Sequence, residues 1–563
     1  MLNTPKFKLK KQVHFLNKPL KFEFKNLFIS LTKSAVDAYN AKWDDAAKDA
    51  LDSLSAMGLQ DTCEERGWLL ITRSLTNAIF TLSTEHTDIF NEFSTCKSDI
   101  EDFCKRISDS LDSFEIELDE DFFSNPASLN FIIPFTEALK SWLIDLNIPD
   151  YKAHAIKSRF PMYFVYSLNQ EWISNHENYK CLQTQINSPF TQATTQLSEW
   201  ERYCSALQLD VVHGMFHEAF SLKDMFIWPR AYTITYIEKG SLRKQLRKAF
   251  WLKEELSIWL RKKDSKDAIR IISGGPGSGK SSFARMYAAE LASNREINTI
   301  IIPLHRLKVK DDFEYAIDEF IEKHAKLSIN PLKIDNIQST LLIFDGLDEL
   351  AMQGKVGAET AINFIRHVKE KISEHNNGHK TAKLLALIGG REIVIQAIMD
   401  DYRKEGQIIY LLPYTIEKNE FKEYTSDQLL SLDQRVEWWN RYQQFNGQKV
   451  TGLPTALNES KLRDVTSQPL LNYLVALSYQ RGKIDFTKEQ NLNTVYADLL
   501  EGVYERGYEQ KHKSIEGISK KQFEQTLEDI SLAVWHSDGR KASIQQIENK
   551  CNPAVLKSFA DGA

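Results

Sequence analysis

Eight consecutive residues carry the clearest chemistry in the chain: Gly274-Gly275-Pro276-Gly277-Ser278-Gly279-Lys280-Ser281, with Ser282 following. They satisfy G-x-x-x-x-G-K-S. Glycines at these positions let the backbone wrap an anion with successive N–H groups, in conformations and at distances that a side chain would block. Lys280 then brings a charge to the β- and γ-phosphates of a nucleotide, and Ser281 brings a hydroxyl to Mg²⁺. Such a loop works between a buried strand and the N-terminus of a helix, whose dipole faces the phosphate. The sequence supplies both, AIRIIS ahead of the loop and SSFARMYAAELA after it.

A metal beside the phosphates needs a carboxylate on a neighbouring strand. The apolar run TLLIFD ends at Asp345, which places a charge at the C-terminal edge of a sheet where it can hold Mg²⁺. Asp348 and Glu349 stand just beyond. Glu349 is the expected base that polarises an attacking water, with Asp348 assisting. A second grouping, HGMFHE, sets His213 and His217 one helical turn apart with Glu218 adjacent, half of a zinc site by spacing. No further ligands stand near it in sequence, so a core or capping role is the expectation. The six cysteines include no C-x-x-C pair, which indicates neither a disulfide framework nor a zinc ribbon.

The elements that would position these groups follow from periodicity. From residue 266 to 417, five apolar runs (AIRIIS, INTIIIPL, TLLIFD, KLLALIGG and QIIYLLP) alternate with helical windows. That texture predicts an α/β P-loop NTPase domain, a parallel sheet with helices on both faces. Residues 1–215 carry apolar residues at helical spacing, from Asn26 to about Gly58, again from Trp68, and in LNFIIPFTEALKSWLIDL. An all-helical N-terminal domain is expected there. Its first residues alternate Lys6, Lys8, Lys10 and Lys11 with Phe7 and Leu9, as a lysine-blunted edge strand or arm would. Residues 216–265 form a linker and lead-in, with SLRKQLRKAFWLKEELSIWLRKKDSKD read as one amphipathic helix. Residues 418–563 are helical again, with Trp438, Trp439 and PLLNYLVALSY as expected core.

Composition excludes several alternatives. At 563 residues the chain is long enough for several domains, each burying its own core. A formal net charge of -6 gives no global basic field for nucleic acid or anionic lipid, so any such contact would be a local patch. No stretch approaches the ~20 uncharged apolar residues of a membrane helix. The basic N-terminus lacks the apolar run of a secretory signal, and the expected compartment is the cytoplasm.

The string LLIFDGLDEL resembles the Walker B signature of NACHT NTPases, members of the STAND class of signalling ATPases. KLLALIGGRE is similar to that family's sensor 1 strand, whose arginine, here Arg391, approaches the γ-phosphate. Gly389-Gly390 stands before Arg391 where the family more often has Thr-Ser. TSQPLLNYLVAL resembles the helical-domain motif whose proline, here Pro469, packs near the adenine. FSLKDMFIWPRAY, residues 220–232, is similar to the segment leading into the NTPase in bacterial NACHT proteins. The resemblance covers residues 215–563. It implies an NLR-like switch with ATP or ADP and Mg²⁺ as cofactors: ADP holds a closed monomer, a trigger opens it, and ATP supports a homo-oligomer that clusters the N-terminal domains. Bacterial relatives act in antiphage defence, so a phage-derived trigger is implied. The family's winged-helix and sensor domains do not follow here, and the chain is expected to be a piece of a longer protein.

Residues 1–215 contain no G-x-S-x-G and no nuclease core, so clustering or recruitment is their expected role, and removing them is expected to leave nucleotide binding intact. Two other readings stay open: a P-loop remodeller or nucleic-acid-acting ATPase, which would carry helicase motifs, an LSGGQ signature or a basic groove, and a nucleotide-gated scaffold with negligible turnover.

Overall fold

The structure, a computed structural model, describes residues 7–9, 63–85, 116–118, 126, 131–145, 148–182, 194–214, 220–239, 242–294, 297–307, 313–327, 339–347, 357–391, 406–458, 460–481, 496–498, 500–501, 504, 518–536, 544–553 and 555. They fall into two compact units, residues 1–412 with 416–452, and residues 413–415 with 453–563. The helical windows expected before Gly58 and around residues 88–111 lie outside the described residues.

The first unit opens with β1 (Phe7–Leu9), the lysine-rich strand, paired antiparallel with β2 (Ile116–Leu118), so that Lys8 stands in register with Glu117. Between them in sequence lies α1 (Cys63–Glu85). Its Leu70, Leu75, Ala78, Ile79 and Leu82 recur at helical spacing and are all buried. They join α2 (Ile132–Asp145) and α3 (Asp150–Ser174) in one apolar core with Phe135, Trp142, Phe160 and Phe164. Inside this core Arg73 Nη1 donates to Glu171 Oε1 at 2.6 Å, and the Tyr179 hydroxyl donates to the same oxygen at 2.6 Å. That pairing satisfies a buried carboxylate that would otherwise be costly. His213 stands edge-on to Tyr163, with Nδ1 3.4 Å from the phenol oxygen, and Arg159 Nη1 donates to the Val212 carbonyl. His213 is thus a core-rim residue, as expected. His217 and Glu218 lie outside the described residues. No group of metal-ligating residues occurs among the described ones.

The helical part closes with α4 (Thr194–Asp210), and the chain then enters a seven-stranded sheet. Here the structure corrects the sequence reading. Residues 242–251 form not the first half of an amphipathic helix but β4 (Leu242–Trp251), antiparallel along its whole length to β3 (Arg230–Lys239). Charges spaced by three or four residues imitated a helix, but the β-branched and aromatic run TITYI offers a partner strand, and pairing overrides local periodicity. Only Leu252–Lys262, α5, is helical.

The five expected apolar runs are β5 (Ile269–Ser273), β6 (Asn298–Pro303), β7 (Thr340–Asp345), β8 (Leu384–Gly390) and β9 (Ile408–Leu411). Their order, with the hairpin, is β4-β3-β9-β5-β8-β7-β6. The five pair parallel and the hairpin adds antiparallel through β3 and β9, so the sheet is mixed and mostly parallel. Every residue of β5 is buried, which requires cover on both faces and explains why these strands read as unbroken apolar runs rather than alternating ones. The cover comes from α5, α6 (Lys280–Asn294), α7 (Phe313–Phe320) and α8 (Gly357–Asn376), whose Leu256, Phe283, Ile317 and Phe364 share one core with the strands.

Residues 416–452, expected with the C-terminal helices, pack in this first unit. Their α9 (Gln434–Phe445) buries Trp438 and Trp439, stacking Trp438 on Tyr442. In the second unit, α10 (Ser460–Thr466) and α11 (Pro469–Arg481) follow, with proline at the first helical position, where its missing N–H costs nothing. Tyr473, Val475 and Ala476 are buried there, and α12 (Lys520–Trp535) packs Phe523 with Ile518 and Val555. No helix among the described residues is long and apolar enough to cross a membrane.

Candidate functional site

β5 ends at Ser273, and the glycine-rich loop turns from it into α6. Gly277 and Gly279 adopt φ of 73° and 87°, a left-handed conformation that a side chain would strain. A Cβ at Gly274 would stand 2.6 Å from Ser278 Oγ and would force that hydroxyl to turn away. That hydroxyl donates across the loop to the Gly275 carbonyl at 2.7 Å and fixes the loop's curvature, a role that sequence spacing did not single out. The Gly274 N–H donates to the Gly390 carbonyl at 3.3 Å, which ties the loop to the tip of β8.

Lys280 is the first residue of α6. Its Nζ donates to the Gly274 and Gly275 carbonyls at 2.7 and 3.0 Å, so the ammonium sits inside the loop that it is expected to serve. The next residue makes the decisive contact: Ser281 Oγ donates to Asp345 Oδ1 at 3.0 Å. Residues from the loop and from a separate strand therefore converge as the sequence predicts. The route differs in one respect. Asp345 is on β7, and β8 lies between β7 and the loop's own strand β5, so the carboxylate is one strand further away than expected. Gly389 is on the intervening tip, beside that carboxylate. A Cβ there would stand 3.5 Å from Asp345 Oδ1, an ordinary van der Waals contact. After Asp345 the chain turns through Gly346 at φ 87°.

The donor set fits a hard divalent cation: a hydroxyl and a carboxylate oxygen side by side, next to a lysine at the N-terminal end of a helix, which suits an anion. Arg391 follows directly on β8, whose Gly390 is in register with Ser273. Pro469 opens α11 in the second unit. Asp348 and Glu349, the expected water-activating pair, lie outside the described residues.

The residues around the site are legible in part. Arg230, the first residue of β3, is fully buried; its guanidinium donates to the carbonyls of Leu429 and Leu432 at 2.8 and 2.7 Å and to Gln434 Oε1 at 3.1 Å. Desolvation pushes its pKa down to about 10, against the pull of Asp433, so it stays charged at neutral pH. Nothing in its spacing announced this role.

No curated protein matches the chain. Residues 16–222 match the family model described as NACHT N-terminal Helical domain 3, which spans the helical part and stops ahead of β3. With a phosphate-loop fold following it, this match supports a NACHT-domain protein, NLR-like and nucleotide-binding in general character.

Proposed function

We propose that the chain is a STAND signalling ATPase, a switch whose state is set by ATP or ADP with Mg²⁺ and which oligomerises on sensing a trigger to activate its helical N-terminal domain. The observation that carries this is the Ser281–Asp345 hydrogen bond beneath the Lys280 loop, in a chain whose helical part matches a NACHT-associated domain. In this reading the backbone from Gly274 to Ser282 and Lys280 would hold the phosphates, and Ser281 and Asp345 would hold Mg²⁺, which would supply charge neutralisation for the phosphates. Glu349, assisted by Asp348, accepts a proton from the attacking water as the γ-phosphoryl leaves ADP, and Arg391 meets the developing charge. A contact of Pro469 with the adenine is what the family resemblance implies. Antiphage defence and a phage-derived trigger follow from the resemblance.

Two substitutions separate the tasks. Asp345→Ala is expected to remove the Mg²⁺-dependent part of ATP affinity, so that calorimetry gives the same value with Mg²⁺ and with EDTA. Glu349→Gln is expected to bind ATP like the wild type while turnover falls at least about a hundredfold. Undiminished turnover in Glu349→Gln would move the base elsewhere. Slow hydrolysis, with a rise in particle mass in ATP relative to ADP, would support the switch over a remodelling motor.

A further inference from the structure

α4 belongs by sequence to the helical part, yet it packs along α6, the helix that begins with Lys280 and Ser281. At the end of α4, Asp210 receives both arms of Arg285: Nε reaches Oδ2 at 2.6 Å and Nη2 reaches the Asp210 carbonyl at 2.8 Å. In mid-helix the buried Tyr203 hydroxyl accepts the Ile301 N–H at 3.1 Å, on the edge strand β6. Burial raises the Tyr203 pKa, so the phenol is neutral at physiological pH. Beside it Arg202 Nη2 donates to the carbonyls of Ala325 and Lys326 at 3.0 and 2.6 Å, past the end of α7. α6 itself is shared between two cores. Its Met286 and Ala289 join the helical core, whereas Phe283, Tyr287, Ala288 and Leu291 join the sheet core.

We propose that occupancy of the phosphate loop and the seating of α4 on α6 are one coupled equilibrium, with Arg285 and Asp210 as its positioning pair. This rests on the nucleotide reading above. A phosphate is held by the first turn of α6, and Arg285 lies little more than one turn further along the same rod. A helix does not bend over that distance, and packed interfaces shift between discrete arrangements rather than deforming smoothly. A rotation or translation of the first turn therefore reaches Arg285, Met286 and Ala289, all of which touch the helical part. Coupling is reciprocal, so loosening α4 weakens nucleotide binding to the same degree that nucleotide tightens α4. It follows that removing residues 1–215 uncovers the Ile301 N–H and the Ala325 and Lys326 carbonyls and weakens nucleotide binding, contrary to the expectation from sequence texture.

The test uses the full chain with Mg-ADP as the probe. Backbone amide exchange in residues 194–210 is expected to slow on addition of ADP. By calorimetry, Asp210→Ala is expected to bind ADP about fivefold more weakly, with a smaller ADP-induced rise in unfolding midpoint. Asp210→Asn, which keeps an acceptor for Arg285, is expected to recover most of the loss. A pair that merely braces the fold would lower the midpoint equally with and without ADP and leave affinity unchanged, and that result overturns the proposal. If Asp210→Ala does not fold, the exchange experiment on the wild type decides alone. Clear ADP binding with unaltered exchange in residues 194–210 sinks the coupling and leaves the nucleotide reading standing, while absence of ADP binding removes both.

Discussion

Lys280→Ala is expected to lose nucleotide binding while keeping the fold. The ammonium donates to the Gly274 and Gly275 carbonyls of the loop, and of these two residues Gly274 is half-buried and Gly275 exposed, so water can reach this part of the loop once the ammonium is gone. Loop shape is held by other means: the left-handed Gly277 and Gly279, the Ser278 bridge to Gly275, and the Gly274 link to Gly390. The unfolding midpoint should therefore stay near the wild-type value. Affinity is another matter, because a lysine facing two phosphates makes charge-assisted bonds worth roughly 1.5 to 3 kcal/mol each. Their loss predicts a fall of about a hundredfold to ten-thousandfold, measured by calorimetry with ATP. Equal affinities in the two proteins would remove Lys280 from the site.

The largest effect on stability is expected at Arg230. Its guanidinium serves carbonyls at the C-terminal end of the short helix Asp427–Leu430 and just beyond, where a helix leaves acceptors without intrahelical partners. The nearby Asp433 is engaged by Arg435 at 2.7 Å, so backbone and amide oxygens hold the Arg230 charge. Arg230→Ala strips those acceptors and opens a cavity at a fully buried position. A loss of about 3 to 5 kcal/mol from the first unit is expected in denaturant unfolding. Arg230→Lys keeps the charge without the fork and should fall between the two. A loss below about 1 kcal/mol would mean that water replaces the guanidinium.

How much was legible divides along physical lines. The phosphate loop could be read because its chemistry is local: glycines, lysine and serine act within eight residues, and flanking elements confirm the context. The parallel strands could be read because burial on both faces leaves no alternation to misinterpret. Asp345 was placed correctly at a strand's end, but the intervening β8 was invisible, since strand order depends on crossovers and not on composition. The β4 segment failed for the opposite reason: LRKQLRKAFW is an edge strand with basic residues at helical intervals, and its partner β3 decides its conformation. The packing of α4 on the sheet was not legible, because Tyr203, Arg202 and Asp210 look like ordinary helix-surface residues until β6 and α6 lie beside them.

Strand order also bears on how the protein is made. β5, which carries the phosphate loop, takes both of its neighbours from later in the chain, β8 and β9. β3 likewise pairs beyond its own hairpin only with β9. A ribosome releasing roughly 5 to 20 residues per second leaves β5 without either neighbour for something like ten seconds. Through that interval an apolar strand with two open edges is exposed to other nascent chains, and the link from the phosphate loop to Gly390 cannot form before β8 has emerged. The central strand is thus enclosed only when β9 arrives, at the same moment as β3, and chaperone demand during synthesis should concentrate on this stretch of the protein.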